Sequence, residues 1–70
     1  MYDELRRLTD AIPFGPFTIT MSSGREFLVR SRDHIMFQRV GYVVVMDDAG
    51  LFDFLPMNHI TGLSGKEAGV

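Results

Sequence analysis

The sequence has no cysteine, so no disulfide can staple the fold and no thiolate zinc site can form. Its two histidines, His34 and His59, are far apart and have no ligand spacing around them. Neither a metal nor another cofactor is therefore expected. There is no basic excess: the formal net charge of −2 gives no overall electrostatic footprint for nucleic acid. No run of residues reaches membrane-spanning length, and the opening MYDELRRLTD is too polar for a signal peptide. The expected setting is cytoplasmic, with no membrane partner.

What is present is apolar and short. Seventy residues make one domain near the lower limit at which a single core is stable. At 46% hydrophobic and 11% aromatic the chain is too apolar to remain disordered. Lacking staples, it must rely on dense packing or on association.

The segment Phe17–Arg30 predicts a β-hairpin. Phe17, Ile19 and Met21 alternate with threonines on the way in, and Phe27 and Val29 alternate with polar residues on the way out. Ser22, Ser23 and Gly24 supply the turn. Before it, Leu5, Leu8 and Ile12, with Tyr2 one turn earlier, form a narrow apolar stripe that predicts a helix over 2–12. Asp3 and Glu4 suit its first turn, and Pro13 ends it. A helix this short must dock on something, and its stripe is expected to cover one end of the β-structure. In the connector stiffened by Pro13 and Pro16, Phe14 and Phe17 are expected to plug the gap between helix and sheet.

Beyond the hairpin, Ser31–His34 reads as a bend and Ile35–Phe37 as either a short strand or one helical turn. Tyr42–Met46 is a strand rich in β-branched residues. Asp47, Asp48 and Gly50 carry tight-turn chemistry. Leu51–Leu55 and His59–Leu63 predict two more strands. The fold class expected is mainly β: an N-terminal helix followed by a five-stranded antiparallel barrel over 17–63. Residues 64–70 are expected to form a flexible tail. Phe17, Ile19, Met21, Phe27, Val29, Val43, Val45 and Ile60 are its core candidates.

Both faces of Tyr42–Met46 and of Leu51–Leu55 are largely apolar, unlike a strand with one face in water. Either bending buries both faces, or another subunit covers one. The edge formed by Leu51, Phe52 and Phe54 together with Ile60 is the candidate oligomer interface, because an exposed apolar edge invites pairing. No catalytic residues emerge. The carboxylates Asp33, Asp47, Asp48 and Asp53 show no spacing that converges on one pocket, and Ser22 and Ser23 have no base nearby. The chain is not expected to be an enzyme. Arg25, Arg30, Arg32 and Arg39 read as a solvated face, and the five methionines as fillers of core gaps.

The helix, the hairpin tip Met21-Ser22-Ser23-Gly24, the strand Tyr42-Val43-Val44-Val45 and the segment Asn58-His59-Ile60-Thr61 together resemble the Sm-like fold, most nearly its bacterial Hfq branch. The opening Pro13-Phe14-Gly15-Pro16-Phe17 is also similar to that of short uncharacterised bacterial proteins. The resemblance implies an SH3-like or Sm-like small barrel that assembles into rings through its last strands. It also implies a single-stranded RNA site in which Tyr42 stacks a base and His59 and Asn58 make polar contacts. Asn58 stands where that family carries lysine. Two functions follow as expectations: a self-assembling structural or protein-interaction module, and, as the alternative, a single-stranded RNA binder.

Overall fold

The computed structural model describes residues 1–39 and 41–65. One helix, α1 (Tyr2–Asp10), precedes six strands: β1 (Phe17–Met21), β2 (Glu26–Val29), β3 (Ile35–Phe37), β4 (Tyr42–Met46), β5 (Phe52–Pro56) and β6 (Ile60–Gly65). Single 3-10 turns at Arg32–His34 and Met57–His59 separate β2 from β3 and β5 from β6. The strands form two antiparallel three-stranded sheets, ordered β2-β1-β6 and β3-β4-β5. Six strands replace the five expected. The additional one is Ile35–Phe37, too short for its period to reveal it but paired residue for residue with Val43–Val45. A single closed sheet is likewise not what forms, since the two sheets are hydrogen-bonded separately.

Two hairpin loops are built alike, and the sequence dictates both. In the first, the Gly24 amide donates to the Met21 carbonyl at 2.9 Å and Met21 N–H donates to the Arg25 carbonyl at 2.9 Å. In the loop after β4, Gly50 N–H bonds the Asp47 carbonyl at 3.0 Å and Asp47 N–H bonds the Leu51 carbonyl at 2.9 Å. Both loops place glycine at positive φ, 92° and 84°, which a side chain would disfavour. Asp47 reinforces its turn by accepting from the Ala49 and Leu51 amides through Oδ1, each at 2.9 Å. The loop between β3 and β4 closes with the same bond, Gln38 N–H to the Tyr42 carbonyl at 3.0 Å.

The inner faces of the two sheets share one core. Phe17, Ile19 and Val29 from the first sheet meet Ile35, Val43, Val45 and Leu55 from the second, with Met21 and Ile60 at one side. Seven of the eight core candidates are buried there, and Phe27 packs against the cluster half-buried. Each large side chain so removed from water contributes about 1.5–3 kcal/mol.

Helix α1 docks on this core through Leu5, which is fully buried, and through Leu8 and Thr9. Tyr2 stacks edge-on against Phe37 at 5.6 Å, and the Arg6 guanidinium lies 4.4 Å over the same ring. The helix is shorter than the expected 2–12. Ala11 takes extended dihedrals, so Ile12 leaves the stripe and is 91% exposed. Thr9 fills the place instead, its hydroxyl satisfied by donating to the Leu5 carbonyl at 2.8 Å. Arg32 ties the helix end down: Nε donates to the Thr9 carbonyl at 2.9 Å and Nη2 to that of Ala11 at 2.6 Å. Phe14 and Phe17 are in contact as expected, their ring centres 5.9 Å apart.

The chain end also differs. Ser64 and Gly65 are not tail but the last residues of β6, paired with Thr18 and Phe17. The rest of the expected tail, residues 66–70, lies outside the described residues. No helix among the described residues is long and apolar enough to cross a membrane.

Candidate functional site

Alternation along three short strands produces an uncharged outer face on the second sheet. Val43, Val45 and Leu55 turn inward, so Tyr42, Val44 and Met46 of β4 turn outward. The register then sets rows across the sheet: Met36 beside Val44 beside Phe54, and Met46 beside Phe52. Phe52 is 56% exposed and Phe54 67%, and no other described element covers them. Bending does not bury this face, so the two-sided apolarity of the sequence becomes an apolar surface. Leu51, just before β5, is exposed as well.

Beside this face lies an open edge. Among the described residues β5 pairs only with β4, and β6 only with β1. Of the four interface candidates, Leu51, Phe52 and Phe54 are on the surface. Ile60 is buried opposite Met21 and belongs to the core. Its side chain is unavailable to a partner because the bulge between Thr20 and Met21 turns the start of β6 inward.

The residues matched to an RNA site come to one end of the molecule. Tyr42 opens β4 opposite Pro56, and Met57 N–H donates to the Gly41 carbonyl at 2.8 Å. This seats the Met57–His59 turn beside Tyr42. The Ser22 amide donates to the His59 carbonyl at 2.7 Å, which adds the hairpin tip to the same end. Tyr42, Asn58 and His59 are all exposed there.

One further feature has no signal in residue spacing. A groove of about 280 Å³ runs between β2 and the β4–β5 hairpin. Asp47, Asp48 and Asp53, all of the β4–β5 hairpin, line it together with Arg25, Arg30 and His34. Arg30 Nε pairs with Asp48 Oδ2 at 2.7 Å, the His34 ring is bonded to Ser31 Oγ at 2.7 Å, and the Arg25 guanidinium sits 4.8 Å over Phe27. No group of three or more His, Asp or Glu among the described residues could hold a metal ion. The arginines thus do not form one face, because Arg25 and Arg30 line this groove while Arg32 serves the helix. Comparison of the sequence with protein-family models and with curated proteins finds no match in either.

Proposed function

We propose that the protein is a self-assembling structural or protein-interaction module. The observation that carries this reading is the uncharged outer face of β3-β4-β5, with Phe52 and Phe54 exposed next to an unpaired β5 edge. A contiguous apolar surface on so small a chain marks an interaction site, and a free edge offers backbone donors and acceptors to a neighbour. In the assembly, β5 of one copy pairs with β6 of the next, and the phenylalanines are covered as the edge closes. Ile60 then contributes backbone, while Leu51, Phe52 and Phe54 contribute side chains.

The same reading treats β2 and β3 as two halves of one strand, sharply bent at Arg30–His34. The strand order becomes β6-β1-β2/β3-β4-β5, which is that of a five-stranded SH3-like or Sm-like barrel. Light scattering across a dilution series tests the assembly. A mass well above that of one chain at tens of micromolar supports it, and a monomer at high micromolar concentration overturns it.

Single-stranded RNA binding is a second reading, favoured by one observation. Tyr42 and the Asn58-His59 turn sit together, an exposed aromatic beside polar groups. Labelled oligouridine at low salt tests it. On this reading Tyr42→Ala costs about 1–3 kcal/mol per stacked base. Absence of binding at tens of micromolar protein removes it.

A further inference from the structure

Asp53 is out of place on β5. Its neighbours Phe52 and Phe54 face outward, so strand alternation turns it to the same side as the buried Leu55. It is half-buried there and has no ion pair with a described residue. It opens onto the groove between β2 and the β4–β5 hairpin. At about 280 Å³ the groove has room for one or two side chains.

The charge of the groove is one-sided. Four carboxylates line it, Glu26, Asp47, Asp48 and Asp53, against two guanidiniums, Arg25 and Arg30, a formal balance of −2 with His34 neutral. Both cations are already engaged, Arg30 by Asp48 and Arg25 over the Phe27 ring. Phe27 and Val45 provide an apolar lining. The groove wall is β2, which among the described residues pairs only with β1, so its other edge carries no strand hydrogen bonds and can accept an added strand.

We propose that this groove binds an extended, lysine- or arginine-bearing peptide of a partner protein, added to the free edge of β2 with one basic side chain reaching Asp53. The aliphatic stem of a lysine lies along half-buried Phe27 and exposed Leu28, and its ammonium group meets the Asp53 carboxylate. Acidic chains are repelled by the same field. The site is independent of assembly through Phe52 and Phe54, which face the opposite way on the same strand.

The test is fluorescence anisotropy with the full chain at low salt. The probes are a labelled Thr-Lys-Val-Lys-Val-Thr peptide and its twin with glutamate in place of lysine. The basic peptide is expected to bind at least about tenfold more tightly than the acidic one, since two charges change sign. Asp53→Asn should weaken it about two- to fivefold, as expected for one partly exposed ion pair. Amide shifts on titrating wild-type protein should fall on Glu26–Val29 and the β4–β5 hairpin, a readout that needs no variant. Equal binding of the two peptides, or shifts confined to the outer face of β5, overturns the proposal. So does the absence of binding at millimolar peptide, which would leave Asp53 as an inward charge that merely guards an edge strand.

Discussion

Val44 and Phe54 stand opposite each other across β4 and β5, yet Val44 is 5% exposed and Phe54 67%. Both point to the outer face. Val44 has Met36 on its other flank, so two cross-strand neighbours cover it, whereas among the described residues β5 is the last strand of its sheet and no strand lies beyond Phe54. The sheet thus shields its own centre and leaves its edge apolar and bare. Within a monomer that edge gains little from being aromatic, whereas in the proposed assembly it is the contact.

Phe54→Asp is therefore expected to shift the protein to monomers with little loss of fold stability. Phe54 is mostly exposed in the single chain but pairs across the strands with Val44, so its loss costs the fold about 0.2–1 kcal/mol. Light scattering should report the lower mass while circular dichroism remains that of the wild type. An unchanged oligomer would place the interface elsewhere.

Arg32→Ala should loosen the helix. Arg32 is the donor that satisfies the carbonyls of Thr9, in the last turn of α1, and of Ala11, its C-cap, and its guanidinium also lies 5.6 Å from the Phe14 ring. Hydrogen bonds to a charged group, here partly exposed, point to a loss of about 1–2 kcal/mol in urea denaturation. Arg32→Lys should recover only part of it, because an ammonium cannot reproduce the two-pronged geometry.

The hairpins and the core were legible because period-two alternation and glycine-bearing turns are local signals. Phe17, Ile19, Val43 and Val45 are where that alternation puts them. The helix stripe misled at Ile12, where spacing alone could not register that Ala11 is already extended. Ile35–Phe37 was ambiguous because three residues carry no period, and its pairing with β4 is a long-range fact. The convergence of Asp47, Asp48 and Asp53 on one groove depends on how β2 sits against the β4–β5 turn, which no spacing encodes.

Gly50→Ala should destabilise although the space around it is open. A Cβ there would meet nothing within 4 Å, so no clash arises. The cost is conformational: at φ 84° an L-residue pays about 1–2 kcal/mol for the left-handed region. Gly24→Ala, at φ 92° with equally open surroundings, should behave the same way in thermal unfolding. A loss well below this range would mean that the loop relaxes to another turn.

Leu5 and Leu51 offer the sharpest contrast in the chain. Leu5 of α1 is fully buried against the core, whereas Leu51 is 65% exposed beside β5. Truncating a buried leucine costs about 2–5 kcal/mol through lost transfer energy and the cavity left behind. At about 0.05–0.15 kcal/mol per residue, the whole fold of 70 residues is stable by only about 3.5–10 kcal/mol. Leu5→Ala should therefore remove a large share of that stability, lowering the urea midpoint steeply, and Leu5→Asp should prevent folding. Leu51→Ala should leave the midpoint of the isolated chain within about 0.5 kcal/mol of wild type. If Leu5→Ala were equally mild, α1 would be an ornament on a self-sufficient β-fold rather than the cover of its core.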